Sequence, residues 1–183
     1  EAYRRAVANW AVRRYGLPGG AVDPETNVLI ACGSREALYQ AATLATERKK
    51  ARLPEGVQPA ICLPNPLYHV YFGGALMAGA EPVTVDATAE NNFIPDYDSL
   101  PAELLDRTAL VFLCTPGNPT GTVASRAQLT RMLEAARRHD FILAVDECYS
   151  EIWFGEPSVG GLQAAWELDQ RFDNLLVFNS LSK

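Results

Sequence analysis

The chain has 183 residues, of which 48% are hydrophobic, and a formal net charge of −6. That is enough apolar material for one packed core, so the length suits one domain or most of one. The acidic balance argues against a nucleic-acid partner. No apolar run approaches a bilayer span, and the charged, amphipathic start from Glu1 to Arg14 is unlike a signal peptide.

In chain order, residues 3–15 place Tyr3, Val7, Trp10, Ala11 and Tyr15 at helical spacing, and Gly16-Leu17-Pro18-Gly19-Gly20 stops that helix. An apolar strand is predicted over Asn27–Ala31, running through Gly33-Ser34 into an Ala-rich helix from Arg35 to about Arg48. A second strand, Pro59–Leu63, leads through Pro64-Asn65-Pro66 to a helical stretch over Tyr68–Ala78. A third strand covers Pro82–Asp86, and a short helix lies near Tyr97–Leu105. A fourth strand, Ala109–Cys114, ends in Thr115-Pro116-Gly117-Asn118-Pro119-Thr120-Gly121. A helix over Ser125–Arg138 leads to a fifth strand, Phe141–Val145, with Asp146-Glu147 directly after it. The last strand, Asn174–Phe178, ends in Asn179-Ser180-Leu181-Ser182-Lys183.

Strands alternating with helices predict an α/β fold, a three-layer α/β/α arrangement around a mostly parallel sheet. The strands are nearly continuous apolar runs, as required when helices cover both faces. Ligands of such sheets bind at the carboxyl ends of the strands. The first residues open inside a helix and the last comes just after a finished strand, so the sequence reads as part of a longer chain. The four cysteines, Cys32, Cys62, Cys114 and Cys148, form no C-x-x-C pair and sit in or beside apolar runs. They read as reduced core thiols of a cytoplasmic protein, with no metal site.

The turns at the strand ends matter most, because in a parallel sheet they all fall on one rim. Gly33-Ser34-Arg35 opens a helix, whose free N–H groups and dipole suit a phosphate, although Ser34 as a plain N-cap explains it as well. Tyr68 offers a flat ring for stacking, or simply closes a helix start, while Tyr71 reads as packing. Asn118 sits in a run of turn-forming residues longer than a simple connection needs. Asp146 comes after five apolar residues, and a carboxylate there needs a cation or donors, or else caps a helix. Tyr149 is three residues on. Lys183 gains weight only from its neighbours, because most lysines are solvated, and a desolvated amine is a nucleophile.

The ordered set Gly33-Ser34, Asn65-Pro66-Leu67-Tyr68, Pro116-Gly117-Asn118-Pro119-Thr120-Gly121, Asp146-Glu147-Cys148-Tyr149 and Ser180-Leu181-Ser182-Lys183 resembles the fold-type-I (class I/II) aminotransferases over essentially the whole chain. The resemblance implies a pyridoxal 5′-phosphate cofactor, with residues 1–183 forming part of the large cofactor domain. Lys183 is then the residue that forms the Schiff base, and Asp146 pairs with the ring nitrogen. Asn118 and Tyr149 hydrogen-bond the phenolic oxygen, and Tyr68 stacks on the ring. Ser34 and Arg35, mainly through backbone N–H groups, hold the phosphate with Ser180. The resemblance also implies a homodimer, with a phosphate-binding and a carboxylate-binding arginine beyond these residues.

Within the family, Asn65–Pro82 and Asp146–Phe154 with Gly160-Gly161-Leu162 are similar to bacterial succinyldiaminopimelate aminotransferases of lysine biosynthesis, with 2-oxoglutarate as amino acceptor. A β-lyase or decarboxylase would use the same lysine and aspartate. A transcription regulator carrying such a domain as a sensor is a reading from another class. A cofactor-free α/β binding domain leaves the ordered motifs unexplained.

Overall fold

A computed structural model describes all residues from Glu1 to Lys183. Helix α1 spans Ala2–Arg14 and α2 spans Ser34–Lys50. Strand β1 (Ala60–Asn65) precedes α3 (His69–Met77) and β2 (Glu81–Asp86). After two 3-10 turns come α4 (Ala102–Arg107), β3 (Thr108–Cys114), α5 (Arg126–His139), β4 (Ile142–Asp146), α6 (Gly161–Asp169) and β5 (Leu175–Phe178).

The five strands form one sheet in the order β2-β1-β3-β4-β5, and every pairing is parallel. All seven residues of β3 are buried, which explains its unbroken Thr-Ala-Leu-Val-Phe-Leu-Cys run. On one face Ile61, Leu63, Leu110, Phe112 and Ala144 pack against Leu38 and Ala42 of α2 and Val70, Tyr71 and Ala75 of α3. On the other, Cys62, Val111, Leu113, Leu143 and Val145 meet Leu105 of α4, Leu129 and Leu133 of α5, and Ala164 and Ala165 of α6. This is the three-layer α/β/α arrangement expected. Helix α1 makes a third cluster through Ala8, Ala11 and Tyr15 with Leu17, Val22 and Val28, and packs onto Leu162 and Trp166 of α6.

The strand order reverses between β1 and β3, the position where doubly wound sheets open a crevice for ligands. The β1–β3 ladder runs only from Ala60 to Cys62. Pro64 lies beyond it and has no N–H to extend it. Pro82 is tolerated in β2 because that strand is a sheet edge.

Four expectations need correction. Asn27–Ala31 is not a strand: it joins no ladder, Leu29 is 86% exposed, and only Val28 is buried, against α1. Apolar character alone does not make a strand without a backbone partner. The segment near Tyr97–Leu105 is a 3-10 turn, Tyr97–Ser99, then α4 after Pro101. Gly33, not Ser34, is the N-cap of α2, and Ser34 is its first helical residue. Cys32 is exposed and Cys148 half-buried, so only Cys62 and Cys114 are core thiols. Helix α6 was not expected: its Leu162, Ala165, Trp166 pattern is a short helical stripe that starts at Gly160-Gly161, residues that usually mark turns. No helix is long and apolar enough to cross a membrane.

Candidate functional site

Asp146 is the last residue of β4 and is 6% exposed. Its Oδ2 accepts a hydrogen bond from the Tyr71 hydroxyl at 2.6 Å, and its Oδ1 accepts from the Cys148 N–H at 3.2 Å. Tyr71 is held flat against Phe112 of β3, with ring centroids 4.5 Å apart and planes 13° apart. Burial first, and then the Asp146 charge, pushes the Tyr71 hydroxyl well above its usual range, so it remains a donor. No arginine, lysine or histidine of the chain forms an ion pair with Asp146. Its backbone carbonyl accepts from the Thr115 N–H at 3.0 Å, which ties β4 to the Pro116–Gly121 loop.

Tyr68 is the N-cap residue of α3 and half-buried. Its ring meets Tyr71 edge-on at 5.6 Å, and its hydroxyl accepts from Arg35 Nε at 2.8 Å. The Arg35 side chain therefore has a definite partner on the rim, beyond the backbone role expected of it. Ser34 is the first residue of α2, and that N-terminus carries no side-chain cap hydrogen bond. Burial first, and then the Asp146 charge, pushes the Cys148 thiol up to about 12 and the Cys114 thiol up to about 11. Both stay protonated at neutral pH, so neither serves as a nucleophile.

Tyr149 lies one turn beyond Asp146, and Lys183 Nζ is 5.8 Å from the centre of its ring. Ser180 Oγ is 2.7 Å from Ser182 Oγ and accepts from the Ser182 N–H. Asn118 is exposed and lines a small cleft with Pro64, Pro66, Cys114 and Gly117, at the carboxyl ends of β1 and β3. It shares no hydrogen bond with Asp146, Tyr149 or Lys183. The loop that carries it is pinned by Gly117 N to Thr122 O at 2.8 Å and Gly121 N to Gly117 O at 2.7 Å. Gly121 has φ +70°, a conformation that disfavours a side chain.

Arg35 and Tyr68 are thus linked through Tyr71 to Asp146, while Tyr149 and Lys183 lie against each other further along the chain, and Asn118 stands at the crevice between β1 and β3. The residues not anticipated are Tyr71, Glu147 and Tyr15. Tyr71 is three residues after Tyr68 on one helix, a spacing that shares a face. Glu147 is fully buried beside Asp146 and bonds Tyr15, 132 residues away along the chain and part of no legible motif.

The all-parallel sheet covered by helices on both faces, with a strand-order reversal between β1 and β3, defines a doubly wound three-layer α/β/α domain. The chain belongs to the class I and II aminotransferases, whose family model matches residues 1–183. It is 39% identical over 156 residues to an LL-diaminopimelate aminotransferase of Desulforudis audaxviator, covering 84% of this chain and 36% of the relative. An aminotransferase from Neisseria meningitidis superposes with a TM-score of 0.87 at 39% identity, over 98% of this chain and 44% of that one. The aminotransferase AspB from Helicobacter pylori gives 0.85 at 35% identity, over 100% and 46%. The chain spans less than half the length of these relatives.

The family implies pyridoxal phosphate, and the residues present fit it. Asp146 is a buried carboxylate with two neutral donors and no cation, and a protonated ring nitrogen would supply one. The N-terminus of α2 offers unpaired N–H groups to an anion. Tyr68 offers a ring face, Tyr149 a phenol, and Lys183 an amine for the aldehyde.

Proposed function

We propose that the intact protein transfers amino groups between an amino acid and a 2-oxo acid, with residues 1–183 as part of its pyridoxal-phosphate domain. The observation that carries this reading is the buried Asp146, at a strand end with no cation of its own. Bound pyridoxal phosphate supplies the electron sink for charge that develops at the substrate Cα.

The chain's own residues do the rest. Ser34, Arg35 and Ser180, with the first N–H groups of α2, hold the phosphate. Asp146 keeps the ring nitrogen protonated, and Tyr71 keeps Asp146 oriented. Tyr68 covers one ring face, fixed at its edge by Arg35. Asn118 and Tyr149 donate to the phenolic oxygen. Lys183 would hold the cofactor through its amine, and as a neutral amine its Nζ would serve as general base for the proton on the substrate Cα. The remaining phosphate and carboxylate contacts, and a second subunit completing a homodimer, belong to the parts of the enzyme beyond these residues.

For the amino donor we propose N-succinyl-LL-2,6-diaminopimelate, with 2-oxoglutarate and glutamate as the partner pair. The similarity of Asn65–Pro82 and Asp146–Leu162 to succinyldiaminopimelate aminotransferases supports it. The second reading is unmodified LL-diaminopimelate, favoured by the names of relatives such as the Desulforudis protein. Assaying glutamate formation from 2-oxoglutarate with each donor separates them. Turnover with the succinylated donor is expected to be at least about tenfold above the free one, a gap of about 1.4 kcal/mol. The reverse preference selects the second reading. Elimination or decarboxylation without keto-acid-dependent transfer would contradict both.

A further inference from the structure

Glu147 is the residue after Asp146 and is 1% exposed, yet the chemistry above does not use it. A buried carboxyl needs its oxygens satisfied, and both are. Oε1 accepts from the N–H of Gly161, the first residue of α6, at 2.6 Å, and Oε2 accepts from the Tyr15 hydroxyl at the end of α1. Gly160 makes room for this: a Cβ there would collide with the Tyr15 ring and lie 2.8 Å from Glu147 Oε2. The residue before Tyr15 grips the same turn from another side. The Arg14 guanidinium donates to the Ser150 carbonyl at 2.8 Å and to the Ser158 carbonyl at 3.1 Å.

The turn Asp146–Ser150 is also tied to the end of β5. The Glu147 N–H donates to the Phe178 carbonyl at 2.9 Å, and Ser150 Oγ donates to Asn179 Oδ1 at 3.3 Å. Those bonds lead straight into Ser180 and Lys183. A continuous set of contacts therefore runs from the end of α1, through Glu147, to the residues on both sides of the cofactor rim.

We infer that Glu147 is a positioning residue, the latch through which Tyr15 and Arg14 at the end of α1 hold the Asp146–Ser150 turn, and with it Asp146 and Tyr149, in register with Lys183. The inference rests on the cofactor reading above, since register matters only if the rim holds one ligand at several points. A small displacement of a positioned group is costly to a site of this kind.

The test uses the intact, cofactor-loaded protein and the variants Y15F, E147A and E147Q. Three quantities are measured: the pH titration of the lysine-linked cofactor's absorbance band, the rate of cofactor release, and amide hydrogen exchange at Cys148 and Ser150. Y15F and E147A are expected to move the titration midpoint by about half a pH unit and to speed release about tenfold. Exchange at the two amides should rise while that of β3 stays unchanged. E147Q should stay near wild type, because its amide oxygen accepts from Gly161 and its NH₂ donates to the Tyr15 oxygen. Wild-type titration, release and exchange in Y15F, even with a lower melting temperature, would overturn the latch and leave Glu147 a structural pin. Y15F carries the test if E147A does not fold. A wild-type protein without the absorbance band would overturn the cofactor reading instead, and exchange in Y15F would still decide the latch.

Discussion

A carboxylate buried at a strand end keeps its charge only where donors replace water, and Asp146 has the Tyr71 hydroxyl and the Cys148 amide. Tyr71→Phe keeps the stack on Phe112 and removes the stronger donor. The intact protein is expected to lose about 2 kcal/mol of unfolding free energy, the usual worth of a hydrogen bond to a charged group. Denaturant titration at neutral pH checks this, and an unchanged midpoint would show that Asp146 does not depend on Tyr71. Glu147 is the other buried carboxyl, and burial, offset by the Gly161 amide and the Tyr15 hydroxyl, pushes it up to about 7 from 4.5. Arg14 and Asp146 are the charged groups that act on it besides. The folded state then binds this proton more tightly than the unfolded chain, so its contribution is full below pH 4.5 and is lost as pH rises through about 7. That amounts to roughly 3 kcal/mol across the window. Stability measured from pH 4.5 to 8 should fall more steeply in wild type than in E147Q, and parallel curves would contradict the assignment. Asp146 was legible in the sequence because the first acid after five apolar residues stands out. Tyr71 and Glu147 were not, because a tyrosine in an apolar helix and an acid beside an acid both have bland explanations.

At the scale of elements, legibility depended on local signals. Helix α5 was readable from end to end because Ser125 and Gln128 form a capping box, with Ser125 N donating to Gln128 Oε1 at 2.9 Å. Ser125→Ala should cost about 1 kcal/mol with no change in the denaturant dependence of unfolding. A change below a few tenths would mean that α5 is held by the burial of Leu129 and Leu133 alone. The inner strands β1, β3 and β4 were readable because burial on both faces leaves a nearly unbroken apolar run, whereas the edge strands β2 and β5 are only partly buried and were marked by shorter apolar stretches. The same signal misled over Asn27–Ala31, where Val28, Leu29 and Ile30 are apolar but no neighbouring strand pairs with them. Pairing is a property of the fold and leaves no mark in a short segment. Helix α6 went unread for the opposite reason: its opening Gly160 is demanded by close approach to Tyr15 and Glu147, and Gly161 by tight packing on Val145, Leu175 and Val177, not by a turn.

Over the whole molecule, parallel strands in the order β2-β1-β3-β4-β5 set Tyr68, Asn118, Asp146 and Lys183, up to about 115 positions apart, at or after the carboxyl ends of β1, β3, β4 and β5, while Ser34 opens α2, which packs on one face of that sheet. Asp146 at that rim carries the aminotransferase reading, and Lys183 is the residue at which the reading is most directly tested. The decisive measurement is reduction of the cofactor-loaded intact protein with borohydride and then peptide mass mapping. One phosphopyridoxyl group is expected, on Lys183, and none in the K183A variant. A label on another lysine, or the same label in K183A, would contradict the role assigned to Lys183 and the aminotransferase reading built on it.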